Sequence, residues 1–185
     1  MLAAVVLDAL GAPPDPELDR AVGPGAAQRL RAELRAVARR WVAELAPGRA
    51  FEATSPAAAA MALHEHDGPV VLVAPDIPAL GPDHARSVLD DLAQGTQLAV
   101  GSAHDARPYL VALAKADPDL IERAADGWEA LMALAAEREL QLAMLRPERR
   151  LVSPADARAL LLDPLAPAAL LAELGALHGS HTPHP

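Results

Sequence analysis

The 185-residue sequence contains no cysteine, which excludes disulfide bonds and thiolate metal sites. Aromatic residues make up only 2 % of the chain, although hydrophobic residues make up 52 %. We therefore expect a core of alanine, valine and leucine. Trp41, Trp128 and Tyr109 are too scattered to form a base-stacking platform. No apolar run approaches the length of a membrane span, so we expect no insertion into a membrane.

Acidic residues outnumber basic ones, with 25 Asp and Glu against 16 Lys and Arg and a formal net charge of −9. This balance argues against a broad nucleic-acid interface, which needs a basic face. One local phosphate site is compatible with it, so a nucleotide remains a candidate ligand. The first residues lack the basic start and the long apolar segment of a signal peptide, and we expect a cytoplasmic protein.

The chain is organised around the stretch 68–80, GPVVLVAPDIPAL. Its apolar run is rich in valine and bounded by Gly-Pro and Pro-Asp pairs, which is typical of a strand buried on both faces. Such strands belong to parallel sheets covered by helices, and ligands bind just beyond the carboxyl ends of these strands. Asp76 lies at that place.

Other apolar runs alternate with helical patterns along the chain. We expect further strands at 2–7, 50–54, 97–100 and 141–145, and an edge strand at 108–114 because it begins with a proline. We expect helices at 25–45, 55–65, 82–94, 117–125, 128–137, 153–162 and 167–177, and a loop at 11–24. The alternation predicts one doubly wound α/β domain over residues 1–178, with a mostly parallel sheet between helices on both faces and a disordered tail at 179–185.

Three segments in chain order carry a resemblance to a known family. Residues 75–80 (PDIPAL) match its G/S-D-I/S-P-x-L strand end, residues 101–113 (GSAHDARPYLVAL) match G-P-A-x-D-G-G-Y-Y-L-I-G-L, and residues 150–157 (RLVSPADA) match D-V-D-T-P-E-D-L. From Leu2 to about Leu165 the chain resembles the small bacterial glycosyltransferase-like proteins, of GT-A type, in the nucleotide-diphospho-sugar transferase superfamily. Distant relatives of these proteins are the 2-phospholactate and molybdenum-cofactor guanylyltransferases.

The resemblance implies a Rossmann-like fold and transfer of a glycosyl or nucleotidyl group from a nucleotide or nucleotide-sugar donor. It also implies a divalent ion, Mg²⁺ or Mn²⁺, held at Asp76, with Asp105 as a candidate second carboxylate. Such a transfer needs cations over the phosphates. Arg20 is the cation that survives in a first loop that looks like P-G-x-V-K-T-R-L in the family.

Several positions depart from the family pattern. In the first loop Asp15 stands in place of a glycine, and Leu18 stands in place of the lysine, which removes a phosphate contact. Ala106-Arg107 replaces a double glycine. Residues 151–153 (LVS) lack the aspartate that the resemblance implies there as a second metal ligand. The predicted site is electrostatically weakened by these changes.

Each candidate site residue also has an ordinary structural explanation. Asp76 between two prolines fits a turn. Asp8, at the end of the first strand, could reach a base or ribose, or it could serve in a turn or helix cap. His104 and Asp105 could form a ligand pair or belong to a polar loop. We interpret the arginine face of the helix at 25–45 as solvated, although it could bind phosphate.

The sequence supports three functional interpretations. The first is a transferase that uses a nucleotide-activated donor with a divalent metal. The second is a degenerate family member that acts as a ligand-binding or protein-interaction module. The third is an unrelated small-molecule enzyme on a similar sheet, since a fold does not fix a function. The alanine-rich faces could be buried against a second copy of the chain or within the domain. The sequence therefore leaves open whether the chain forms a homo-oligomer.

Overall fold

The computed structural model describes residues 1–175, so the tail predicted at 179–185 lies outside the described residues. Within them the chain forms six strands: β1 (Ala3–Leu7), β2 (Ala50–Ala53), β3 (Val70–Val73), β4 (Leu98–Ser102), β5 (Pro108–Leu113) and β6 (Leu142–Met144). The same residues form eight α-helices: α1 (Pro16–Val22), α2 (Pro24–Leu45), α3 (Pro56–Ala62), α4 (Pro82–Ala93), α5 (Pro118–Asp126), α6 (Trp128–Glu137), α7 (Pro154–Leu161) and α8 (Ala168–Glu173). A short 3-10 helix, Asp8–Leu10, follows β1 directly.

The six strands form one sheet in the order β2-β1-β3-β5-β4-β6. β1 pairs in parallel with β2 and β3, and β4 pairs in parallel with β6. β5 runs antiparallel to both of its neighbours, β3 and β4. The predicted α/β fold with a mostly parallel sheet is therefore confirmed, and β5 is the antiparallel strand of the described sheet.

Every residue of β1, β3 and β5 is buried. Because successive side chains of a strand point to opposite faces of the sheet, this complete burial shows that both faces are covered. The core around these strands consists mainly of alanine, valine and leucine, as the composition predicts. Within residues 1–175, no helix combines the length and the apolar composition that crossing a membrane requires.

The expectation of an edge strand at 108–114 is wrong, because β5 lies between β3 and β4 inside the sheet. Its proline is the first residue of the strand and faces Ser102 at a β-bulge in β4, where the regular ladder is already interrupted. A missing N–H costs little at that place. Pro108 still contributes its carbonyl oxygen as a hydrogen-bond acceptor.

The segment 11–24, which the sequence analysis predicts to be a loop, contains α1. Asp15 caps this helix, and its Oδ1 accepts a hydrogen bond from the backbone N–H of Glu17 at 2.8 Å. A proline in the first helical position loses no hydrogen bond, because an N–H there has no partner within the helix. Six of the eight described α-helices begin with proline, so these prolines mark helix starts.

We expect Gly101→Ala to destabilise the fold, because β4 packs closely against the ring of Tyr109. A Cβ atom at residue 101 would lie 2.6 Å from Cε1 and 2.7 Å from Cζ of that ring. The ring cannot easily give way, since Tyr109 is fully buried and its hydroxyl donates to the carbonyl oxygen of Arg146 at 3.0 Å. Overpacking of this kind typically costs about 1–3 kcal/mol, which a urea unfolding curve will show as a lower midpoint.

The matched control is Gly25→Ala in the first turn of α2. There the atom nearest to the new Cβ is the exposed end of Arg29, at 3.6 Å. This variant should leave the urea midpoint unchanged or raise it, because alanine favours the helix over glycine. Equal midpoints for the two variants would contradict the packing argument.

Candidate functional site

A cavity of about 400 Å³ opens beyond the carboxyl ends of β1 and β3. Its walls come from the segment after β1, from α1 and α2, from the turn after β3 and from the segment that precedes α7. Most of the lining residues are apolar, and the charged ones are Asp8, Arg31, Arg35 and Asp76. Gly101, near the carboxyl end of β4, does not line this cavity. The cavity lies at the place where ligands bind in open α/β sheets.

Asp8 follows β1 and begins the 3-10 helix, which places the residue in the cavity wall. Its Oδ1 lies 2.8 Å from Nη2 of Arg35, which reaches it from the middle of α2. Nη1 of Arg35 lies 3.5 Å from Oε2 of Glu52, and the adjacent Asp8 carboxylate raises the pKa of the guanidinium. Asp8, for which the sequence leaves open a contact with a base or ribose and a role in a turn or helix cap, is one half of an ion pair.

Arg31 lies one helical turn before Arg35 on α2 and also lines the cavity. Its Nη1 donates to Oδ1 of Asp19 at 2.6 Å, so a carboxylate of α1 holds it. Side chains four residues apart share one helix face, and the two guanidiniums thus belong to the same cavity wall. Our interpretation of this face as solvated missed the cavity at these positions. The spacing of four between the arginines was the signal available in the sequence.

Asp76 lines the cavity and is buried, with 8 % of its surface exposed. Nη1 of Arg150 donates to its Oδ1 at 2.6 Å, and the backbone N–H of Ala12 donates to its Oδ2 at 2.8 Å. Its carbonyl oxygen accepts from the N–H of Leu151 at 3.0 Å. Burial raises the pKa of the Asp76 carboxyl, against the opposing effects of the Arg150 charge and the Ala12 hydrogen bond. Each oxygen of the carboxylate thus accepts one hydrogen bond.

Arg150, which the sequence does not indicate as a site residue, is the buried cation beside this carboxylate, with 3 % of its side chain exposed. Its Nη2 donates to the carbonyl oxygen of Pro108 at 2.9 Å, at the start of β5. Its Nε lies 3.1 Å from Oδ2 of Asp105 in the β4–β5 loop, without the alignment of a hydrogen bond. No local pattern marks Arg150, because it lies outside the regular elements and 74 residues from Asp76 along the chain.

The other predicted site residues do not line the cavity. Asp105 lies beside Arg150, with its Oδ2 3.1 Å from Nε of that arginine, and does not reach the cavity itself. His104 is exposed in the same β4–β5 loop. Arg20 is exposed on α1 and lines a separate surface depression together with Arg158. Of the five predicted site residues, the two carboxylates that follow β1 and β3 are therefore the ones that share the cavity.

The surroundings of Asp76 do not fit the divalent ion that the family resemblance implies there. Mg²⁺ and Mn²⁺ are bound by oxygen ligands. Here both carboxylate oxygens already accept hydrogen bonds, and one of the donors is the guanidinium of Arg150. Among residues 1–175, no three His, Asp or Glu side chains come together as a metal-binding group.

No protein-family model matches the sequence, and no curated protein matches it either. The fold does have counterparts among solved structures. A protein from Desulfovibrio desulfuricans G20, described as a "putative nucleotide-diphospho-sugar transferase", aligns with a TM-score of 0.72 and 19 % identity, over 97 % of this chain and 96 % of that one. The chain has a nucleotide-diphospho-sugar transferase-like fold. At this identity the likeness shows the fold alone.

Rv0371c from Mycobacterium tuberculosis H37Rv aligns less well, in two crystal structures. One gives a TM-score of 0.47 and 14 % identity, over 88 % of this chain and 97 % of that one. The other, a complex with manganese, gives 0.45 and 15 % identity, over 86 % of this chain and 97 % of that one. These scores are too low to carry the manganese of that protein over to this chain.

We expect Arg150→Met to destabilise the protein by about 3–5 kcal/mol, because it leaves Asp76 buried without its counter-charge. The same substitution removes the hydrogen bond to the carbonyl oxygen of Pro108. Urea unfolding followed by circular dichroism measures this loss as a lower midpoint. Adding Asp76→Asn should recover part of the loss, because the double variant no longer buries an unpaired charge.

Arg149→Met is the matched control, one residue earlier in the chain. The side chain of Arg149 is 48 % exposed, and its Nη1 lies 3.3 Å from Oδ1 of Asp156. Exposed pairs of this kind typically contribute about 0–1 kcal/mol, so the midpoint should change little. If the Arg149→Met and Arg150→Met variants unfold at the same urea concentration, the buried pair of Arg150 and Asp76 contributes no more to stability than the exposed pair of Arg149 and Asp156.

Proposed function

We propose that the chain is a transferase that binds a nucleotide-activated donor in the cavity beyond β1 and β3, and that it transfers a glycosyl or nucleotidyl group from that donor. The observation that carries the proposal is the pair of guanidiniums, Arg31 and Arg35, on the wall of this cavity. The sheet order supports the location, because β1 leads to β2 on one side while β3 lies on the other. Ligands of open α/β sheets bind at such a switch point.

Arg31 and Arg35 are suited to the phosphates of the donor. A guanidinium can donate two parallel hydrogen bonds to a phosphate group. Asp19 and Asp8 already hold the two side chains, at 2.6 Å and 2.8 Å, so little side-chain freedom is lost when a ligand binds. The donor phosphates would take over the interactions that the two guanidiniums now make with these carboxylates.

The rest of the cavity is suited to the less polar parts of a donor. Its volume of about 400 Å³ lies in the range of small-molecule sites. Pro14, Leu34 and Pro75 are among the apolar residues that line it. They would contact the nucleobase or the sugar and exclude water from the phosphates.

The transfer moves negative charge onto a phosphate leaving group, and fixed cations near that group lower the barrier. In our proposal Arg31 and Arg35 supply this stabilisation. The proposal includes no metal at Asp76, because the buried guanidinium of Arg150 already neutralises that carboxylate. The cytoplasmic location and the homo-oligomer considered from the sequence stay predictions.

We expect the chain to bind UDP-sugars, GDP-sugars or GTP in calorimetric titrations, and Arg31→Met and Arg35→Met each to weaken that binding about tenfold. Tenfold corresponds to the loss of one charge-assisted hydrogen bond of about 1.5 kcal/mol. Arg40→Met is the matched control, because Arg40 lies on the same helix but lines a different groove, beside Trp41 and Pro82. Failure of the folded chain to bind any of these donors would contradict the proposal. The two other interpretations, the degenerate ligand-binding or protein-interaction module and the unrelated small-molecule enzyme, would then remain.

Asp19→Asn should tighten donor binding, because it removes the charged partner that holds Arg31 at 2.6 Å. Asparagine keeps the size of the side chain but competes less strongly for a guanidinium. Asp83→Asn is the control for the change in net charge, since Asp83 pairs with Arg86 on the exposed face of α4 and does not line the cavity. Weaker binding by Asp19→Asn than by Asp83→Asn would contradict this expectation and show that Asp19 positions Arg31 for the donor more than it competes with the donor.

A further inference from the structure

We infer that the guanidinium of Arg150 takes the place of a divalent cation beside Asp76, so that the chain binds its nucleotide ligand without a metal at this carboxylate. The inference rests on the proposed function for the nature of the ligand. Its statement about the metal concerns the free chain and can be tested without any nucleotide. The evidence is the set of contacts that Arg150 makes and the charges that surround it.

Arg150 is held from three sides. Its Nη1 lies 2.6 Å from Oδ1 of Asp76, its Nη2 lies 2.9 Å from the carbonyl oxygen of Pro108, and its Nε lies 3.1 Å from Oδ2 of Asp105. Only 3 % of the side chain is exposed. The turn after β3, the start of β5 and the β4–β5 loop therefore hold this side chain, which is also shielded from water. It is not free to move aside for an incoming ion.

The positive charge of Arg150 is permanent, because a guanidinium does not lose its proton in proteins. Both nearby carboxylates, Asp76 and Asp105, face this one group. A divalent ion at Asp76 would meet that charge at close range in a poorly screened environment. Leu151 and Val152, which line the cavity next to Asp76, offer no side-chain oxygen as a ligand.

Charge is therefore divided between two places in the site. Arg150 neutralises Asp76 and does not itself line the cavity. Arg31 and Arg35 line the cavity in which the proposed ligand would bind. Ligand binding then depends on the two cavity arginines and needs no metal ion at Asp76.

Mn²⁺ alone, added to the free full chain, tests the inference by NMR, because this ion broadens the signals of nuclei close to it. The backbone amides of Ala12 and Leu151 are hydrogen-bonded to Asp76 and report on its surroundings. We expect both signals to stay sharp at substoichiometric Mn²⁺. Selective broadening of these two signals would overturn the inference, whereas broadening confined to other residues would support it.

Arg150→Gln is the comparison variant, because it removes the cation while keeping an amide that can donate to Asp76. Where its amide spectrum shows a folded protein, Mn²⁺ should now broaden the signals of Ala12 and Leu151. A folded variant without this broadening would show that Arg150 is not what excludes the metal, and would overturn that part of the inference. If the variant does not fold, the titration of the unmodified chain decides.

A second experiment measures calorimetric affinity for GDP and UDP in EDTA and in Mn²⁺. Equal affinities in EDTA and in Mn²⁺ support the inference. A higher affinity in Mn²⁺ that persists in the Asp76→Asn variant also supports it, since the metal is then carried by the nucleotide. A higher affinity in Mn²⁺ that is lost in the Asp76→Asn variant would overturn the inference. If neither nucleotide binds in either condition, the proposed function fails, and the Mn²⁺ broadening experiment still decides the question of the metal.

Discussion

The buried contact between Asp76 and Arg150 holds together the end of the sheet on which the cavity is built. The two side chains are 12 % and 3 % exposed, and their charged atoms are 2.6 Å apart. A buried charge without a partner is costly, so the burial of each residue depends on the other. Because Arg150 also reaches Pro108 and Asp76 also reaches Ala12, the contact fixes β3, β5 and the segment after β1 relative to one another.

The cavity above this contact is balanced in charge although the chain as a whole is acidic. Two carboxylates and two guanidiniums line it, and its arginines are paired with Asp8 and Asp19 before any ligand arrives. An anion that enters must therefore replace carboxylates as the partner of the arginines. This exchange favours ligands with several phosphate oxygens over singly charged ones, since each guanidinium gains most from a bidentate partner.

Much of the fold follows from local patterns in the chain. The saturated apolar run before Asp76 predicts a strand buried on both faces, and β3 is buried throughout. The proline at residue 108 predicts an edge strand, because a proline lacks the N–H that a central strand uses. That argument fails when the proline is the first residue of its strand and faces a β-bulge in the neighbouring strand. The bulge that faces Pro108 belongs to β4, so the residues around Pro108 do not reveal it.

By itself the sequence determined the buried strands, most helix starts and the position of Asp76 at a strand end, because these depend on neighbouring residues and on spacings within one element. Only the tertiary structure decided what Asp76 contacts. Arg150 is 74 residues away, and nothing in its local sequence distinguishes it from the exposed Arg149. The same holds for Arg31 and Arg35, whose helical spacing was visible but whose cavity forms only when the segment after β1 packs against α2. Charge pairing across the fold depends on which elements the topology brings together, and no local pattern encodes that.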